Sequence, residues 1–231
     1  MQMALDPVAE EYIKTVYQLE RELSRRVRTV EIAEAVERTQ ASVSHMIQKL
    51  DEEGLVDYRE YKGVRATDSG TEIALRVIRK HRLIETFLAD QLNTPWAEVH
   101  EEADRLEHHI SDEFADRLAA FLGNPRTDPH GDPIPNKELN LQTDQNRVGL
   151  TDCTAGDTLI VEQVPHHQPD VRKYLFENDI DPGTTVVIDD IASVGLVTLT
   201  VEETEQRVSI PDHIARQIKV RCKIEPLRNK N

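Results

Sequence analysis

Residues 100 to 109 read His-Glu-Glu-Ala-Asp-Arg-Leu-Glu-His-His, the densest run of metal-ligating side chains in the chain. On a helix, Asp104, Glu107 and His108 stand at i, i+3 and i+4 and therefore share one face. Two carboxylates and an imidazole converging in this way form a partial shell for a divalent transition ion. His100, one turn before Asp104, extends the same row, and His81 with Glu85 repeats the i, i+4 spacing upstream. Taken singly, each of these residues is better explained by an acidic amphipathic helix exposing its charges. Together they favour a metal, because His81, His100, His108 and His109 are four of the nine histidines and fall within 30 positions. His109 points about 100° away from its neighbour on a helix and is left out.

Hydrolytic chemistry is not indicated. His100-Glu101 is followed by Ala103 and Asp104, so it does not complete an HExxH zinc motif. There is no GxSxG, no Walker loop and no GxGxxG between a strand and a helix. The pattern suits a structural or sensory metal site, and an enzyme is not expected. Oxygen and imidazole donors without thiolate suit Mn(II) or Fe(II), whereas raw affinity ranks Zn(II) and Cu(II) above both, so availability and coordination number must help decide. These residues do not separate Fe2+ from Mn2+.

The elements that would position them can be followed along the chain. Val8, Tyr12, Ile13, Val16, Tyr17 and Leu19 recur at near-helical spacing, with Asp6 as a cap and Pro7 at the first helical position. A second short helix follows Thr29. A third follows Thr39 and ends before Gly54, with Val43, Met46, Ile47 and Leu50 inward and Ser42, His45, Gln48 and Lys49 outward. Two short extended segments flank Lys62-Gly63. Three helices and a small hairpin are the order of a winged helix-turn-helix. A long helix begins at Thr67-Asp68. A further one is expected from His100 to about Leu122, its stripe including Val99, Leu106, Ile110, Phe114 and Leu118, with Phe114 assigned to the core along with Met46. Gly123 to Asn136, with four prolines, is a break. From Arg147 onward five short strands and a helix over about Asp170–Asn178 suggest a small barrel, with Trp96 as packing and Cys222 as a buried apolar residue. The expected fold is mostly α with a C-terminal β domain, divided at 1–72, 73–140 and 147–228.

Length and charge bound the remaining choices. The 231 residues carry 28 Lys and Arg against 43 Asp and Glu, a formal net charge of −15. No apolar run approaches the ~18 residues of a membrane span, and no secretory signal is visible at the start, so a cytoplasmic protein without a membrane partner is expected. Cys153 and Cys222 lie far apart and form no CxxC. An acidic chain ordinarily repels DNA, but a halophilic cytoplasm screens charge within about 3 Å at 1 M salt. Local charge then matters more than the sum, and the acid-free stretch from Arg38 to Lys49 and the segment Arg59 to Arg65 are basic islands.

The segments EYIKTVYQLE, RKHRLIETFL, VHEEADRLEHHISDE and HGDPIP resemble the diphtheria toxin repressor family of metal-dependent transcription regulators, from about Val8 to Pro135. The tail resembles the SH3-like, ferrous-transport-associated FeoA domain that many members append. The resemblance implies a homodimer that binds double-stranded operator DNA, an inverted repeat, when charged with Fe2+ or Mn2+. It implies a principal metal site of Glu11, Asp104, Glu107 and His108 and an ancillary site of His81, Glu85 and His100. Completion of the second site from the tail would fall to Glu162-Gln163 or His166-His167, with Gln163 and His166 preferred. DNA contacts would come from Ser42, His45, Gln48 and Lys49 in the major groove and from Arg59, Lys62 and Arg65 on the wing. Two departures stand out: iron-sensing members place sulfur where this chain has Glu11 and Asp104, and manganese-sensing members often carry an acid where it has Lys14. Two competing readings are a winged-helix regulator with a structural carboxylate cluster and an organic effector, and an iron-transport accessory protein without DNA binding.

Overall fold

The computed structural model describes residues 5–142, 146–165 and 168–223. Asp6 accepts the Val8 amide at 3.0 Å and Pro7 supplies the first helical residue, so α1 (Pro7–Leu23) begins where the sequence predicts. It is followed by α2 (Thr29–Ala35) and α3 (Gln40–Glu52), the latter capped by Thr39, whose hydroxyl accepts the Ser42 amide at 3.3 Å. Strands β1 (Val56–Arg59) and β2 (Gly63–Ala66) pair antiparallel as a wing. Val27 adds a bridge to Val64 through two backbone bonds of 2.9 and 2.8 Å. Arg26 locks the wing base by donating to the Asp57 carbonyl at 2.7 Å and pairing with the Asp57 carboxylate. Tyr12, Ile13 and Val16 of α1, Ile32 of α2, Val43, Ile47 and Leu50 of α3, and Val56 and Val64 of the wing bury one shared core.

The chain forms two compact units. One holds residues 1–84, 103–124 and 134–141; the other holds 85–102, 125–133 and 142–231. Helix α4 (Asp68–Leu92) and helix α5 (Val99–Leu106) each contribute residues to both. The helix expected from His100 to Leu122 is broken. His109 closes the end of α5 by donating to the Leu106 carbonyl at 2.9 Å, and Ser111 opens α6 (Asp112–Phe121) by accepting the Phe114 amide at 3.1 Å. The restart resets the buried stripe to Ala115, Leu118 and Ala119. Phe114, expected in the core, is consequently 51% exposed, and Phe121, one heptad on, is 66% exposed. Arg79 ties the following segment down, donating to the Pro135 carbonyl at 2.7 Å while pairing with Asp116.

In the second unit, β3 (Val148–Gly149), β4 (Thr158–Gln163), β5 (Thr185–Ala192), β6 (Leu196–Val201), β7 (Arg207–Pro211) and β8 (Lys219–Cys222) form an antiparallel sheet ordered β3-β8-β4-β5-β6-β7. Helix α7 (Pro169–Glu177) lies between β4 and β5 in sequence, and a single turn, α8 (Asp212–Ala215), precedes β8. Val197, Leu199 and Val201 alternate inward along β6, as a half-buried strand requires. Trp96 joins this core and donates its indole N–H to Asp181 at 2.6 Å. Cys222 is exposed rather than buried because β8 ends at it, past the core filled by Val220. No helix among the described residues is long and apolar enough to cross a membrane.

Candidate metal centre

Glu11 and Lys14 stand one turn apart on α1, while Asp104 lies on α5 and Glu107 and His108 immediately beyond it. In the first unit they meet. Ligand atoms of Glu11, Glu107 and His108 all lie within 4.8 Å of one another. The Lys14 ammonium sits among the carboxylates, 2.6 Å from Glu107 Oε1, 2.9 Å from Glu11 Oε2 and 3.4 Å from Asp104 Oδ1. Glu107 is fully buried, and its second oxygen lies 2.6 Å from His81 Nδ1, which is also 3.3 Å from Asp104. His81, grouped with Glu85 and His100 by the sequence reading, thus shares carboxylates with the first cluster. His108 Nε2 faces Glu107 at 3.1 Å and Glu11 at 3.5 Å, and its Nδ1 lies 2.8 Å from Glu10. With Glu10 accepting from Nδ1–H, Nε2 is the atom left to act as a ligand, the usual division of labour in a metal-bound imidazole. Glu10 escaped the sequence reading because nothing in its spacing separates it from the other surface acids of α1.

The electrostatics follow from this crowding. Burial pushes the Glu107 carboxyl up, but hydrogen bonds from His108 and His81 and the Lys14 charge override it and bring the group down to about 2. Burial likewise raises Glu11, and His108 and Lys14 again prevail, leaving it below the ordinary value. Burial disfavours the charged His108 ring, yet Glu10, Glu107 and Glu11 push it up to about 11. Lys14 is held above its usual range by the same carboxylates against the desolvation that would lower it. A ring of anions this close requires a cation, and hard oxygens with one imidazole are donors that a ferrous or manganous ion accepts. The Lys14 ammonium serves as a stand-in for that positive charge, so the residues fit a divalent ion.

A second cluster lies wholly within the other unit. Glu85, Asp128 and His130 are buried, with ligand atoms within 4.8 Å of one another. His130 Nδ1 lies 3.5 Å from Glu85 and 3.9 Å from Asp128, and His100 Nδ1 lies 3.0 Å from Glu85. Burial disfavours the charged form of His130, but Glu85 and the neighbouring aspartates raise its pKa nonetheless. Asp128 Oδ1 accepts the amides of His130 and Asp132, both at 2.9 Å, which folds the segment into a tight turn. Asp128 and His130 were missed because their segment looks like a proline-rich break; the signal available was an Asp-x-His-x-Asp alternation inside it. Gln163 donates to Asp132 at 3.1 Å, one residue pair removed from the cluster. His166 and His167 lie outside the described residues.

Residues 4–64 match the iron dependent repressor N-terminal DNA binding domain, residues 67–136 the iron dependent repressor metal binding and dimerisation domain, and residues 148–222 the FeoA domain. The iron-dependent repressor IdeR of Mycobacterium tuberculosis is 33% identical over 222 residues, covering 91% of this chain and 95% of that protein. The chain belongs to the iron-dependent repressor family. The diphtheria toxin repressor of Corynebacterium diphtheriae is 30% identical, again over 91% of this chain and 95% of its own length. Among solved structures, a manganese-dependent transcriptional repressor in complex with manganese superposes with a TM-score of 0.81 at 32% identity, covering 93% of this chain and all of that one. Iron-dependent repressors are metal-dependent transcriptional regulators rather than enzymes, and this member carries the family's DNA-binding, metal-binding and dimerisation parts.

As in a repressor that must meet DNA, Ser42, His45, Gln48 and Lys49 all lie on the exposed face of α3, and Arg59, Lys62 and Arg65 are exposed on the wing. Arg59 is 3.2 Å from Asp57 and Arg65 is 3.0 Å from Glu20. A cavity of about 570 Å³ in the first unit is lined by Arg76, Arg79, Lys80 and Lys137, but these already pair with Glu72, Asp112 and Asp116. It offers an organic effector no surplus charge. Phe114 and Phe121 leave an exposed apolar pair on α6, which a subunit contact there would cover. Replacing both with serine should weaken self-association about tenfold or more, since large buried anchors dominate such contacts, as sedimentation equilibrium would show.

Proposed function

We propose that the chain is a cytoplasmic, homodimeric repressor whose grip on an inverted-repeat operator requires Fe2+ or Mn2+ at Glu11, Asp104, Glu107 and His108. The observation that supports this most is that α1, which packs against the reading helix α3, and the residues just past α5 bring ligand atoms of Glu11, Glu107 and His108 within 4.8 Å of one another, with Asp104 sharing the Lys14 ammonium with both glutamates. When bound, the ion would supply positive charge that compensates the carboxylates and a bond linking the two segments. The protein's own part is to hold Glu107 buried and ionised, to orient His108 through Glu10, and to carry Glu11 on the helix that shares a core with α3. A ligand that favours one placement of α1 biases the placement of α3, and that differential affinity makes a switch. Of the expected ancillary ligands His81, Glu85 and His100, the last two lie 3.0 Å apart in the second unit, where Asp128 and His130 join Glu85 as further candidate ligands and Gln163 supports the Asp132 side of their loop. Residues 1–72 are assigned to DNA binding, 73–140 to metal binding with dimerisation, and 147–228 to the FeoA-like domain.

The test is DNA binding by chelator-stripped protein before and after addition of Fe2+ or Mn2+ under anaerobic conditions. Metal-restored binding supports the reading; binding that is indifferent to metal points to an organic effector or none, and no DNA binding under any condition points to the accessory role.

At the DNA surface, the outward face of α3 reads bases through Ser42, His45 and Gln48 while Lys49 meets phosphate. Lys49 is 47% exposed and comes no closer than 3.9 Å to Glu53, so little holds it back. Lys49→Ala should weaken binding to all sequences alike and lower the salt slope by about 1, because one phosphate contact is lost. A loss confined to one base position would assign Lys49 to base reading instead.

A further inference from the structure

We infer that Lys14 is a tethered competitor for the metal: its ammonium neutralises the cluster until an incoming divalent ion displaces it, and this exchange sets the concentration at which the protein responds. The inference rests on the proposed metal site and adds a determinant of its affinity. Three carboxylates from α1 and the α5 end surround the Lys14 nitrogen at 2.6 to 3.4 Å. The side chain is 7% exposed, and its partner Glu107 is fully buried. Glu11 and Asp104, by contrast, are 40% and 43% exposed, so the cluster opens to solvent on the side where they stand. A four-carbon stem can swing the ammonium toward that opening without moving α1.

The consequence is that the metal-free cluster is not a set of mutually repelling anions. Repulsion among Glu11, Asp104 and Glu107 would drive the segments apart, but Lys14 already answers it. An ion must therefore do more than neutralise charge: it must outcompete a cation that is always present at the same local position. Apparent affinity is reduced by the fraction of molecules in which the site is open, so a favoured inward Lys14 directly raises the working metal concentration. Removing the charge should move two observables in opposite directions. The metal-free protein should lose stability, because three acids are left to face one another. The metal should bind more tightly, because nothing has to leave.

The test uses the full chain with Lys14→Met, which keeps the stem, Lys14→Gln, which tolerates the polar surroundings if methionine does not fold, and Lys14→Arg, which keeps the charge. Calorimetric titration with Mn2+ and thermal unfolding after chelation are measured on each. Lys14→Met or Lys14→Gln should bind Mn2+ about tenfold or more tightly than wild type and melt lower when metal-free, while Lys14→Arg should stay near wild type in both. Wild-type affinity in the uncharged variants, or weaker binding, overturns the inference. Failure of the wild-type chain itself to bind Mn2+ overturns the metal-site reading beneath it instead.

Discussion

Glu107→Gln is expected to lower metal affinity by at least about 100-fold, about 2.7 kcal/mol, and to remove metal-dependent DNA binding while leaving the chain folded. Glu107 is fully buried, and its two oxygens meet Lys14 and His81 at 2.6 Å each and His108 at 3.1 Å. Glutamine keeps the volume and one acceptor oxygen but loses the charge around which the cluster is organised. Alanine would be a poorer probe, since it strands a buried ammonium; truncating one partner of such a pair costs about 3–5 kcal/mol, a large part of a typical domain's stability. Far-UV circular dichroism and thermal melting of the metal-free glutamine variant separate loss of the site from loss of the fold. A variant that still takes up Mn2+ or Fe2+ at wild-type affinity would remove Glu107 from the ligand set.

Gly131→Ala should have the largest effect in the second unit. Gly131 has φ +88°, and a Cβ there would lie 1.9 Å from the Glu162 carbonyl oxygen. The two backbones cannot part cheaply, because the Val164 amide donates to the His130 carbonyl at 2.9 Å and Arg147 donates to the Gly131 carbonyl at 2.8 Å. Left-handed strain and the clash together should cost roughly 3–5 kcal/mol, a fall of about 10 °C in melting temperature. The turn that carries Asp128 and His130 would be displaced with it, so any metal held by Glu85, Asp128 and His130 should be lost while uptake at Glu107 persists. Gly156→Ala is the control: its φ is +93° but nothing lies within 4 Å of the added carbon, so only about 1 kcal/mol is expected. Equal melting temperatures for the two variants would show that the loop is not wedged against β4.

Much of this architecture is legible in the chain itself. The apolar spacing and the Asp6-Pro7 start place α1, the Thr39 cap places α3, and period-2 alternation places the strands from β4 to β8, because local rules and the final fold agree there. The break between α5 and α6 is less visible, since Leu106, Ile110, Phe114 and Leu118 continue the apolar rhythm across it. Only the Ser111 cap marks the restart, and that restart is what turns Phe114 outward. The spacing of Asp104, Glu107 and His108 suggests one shared helical face, although α5 ends at Leu106 and the last two stand in the turn that follows. What spacing does not carry is partnership between distant segments. Lys14 stands out in the sequence only as a departure from the family pattern; that its nitrogen lies among three acids, one of them 93 positions away, is visible only in the fold. Asp128 and His130 are hidden by prolines and glycine that signal a break, although a tight turn is a good way to bring a buried Asp and His onto the same carboxylate.

Metal occupancy and DNA binding should form one equilibrium. Fluorescence-anisotropy titration addresses it, using chelator-stripped full-length protein and a duplex selected from genomic fragments by the metal-loaded chain. Anaerobic Fe2+ or Mn2+ should raise DNA affinity by about 100-fold or more, in step with calorimetric filling of the site, and Glu107→Gln should flatten the response. Equal DNA affinity with and without metal, or DNA binding that saturates where no metal has been taken up, would contradict the account.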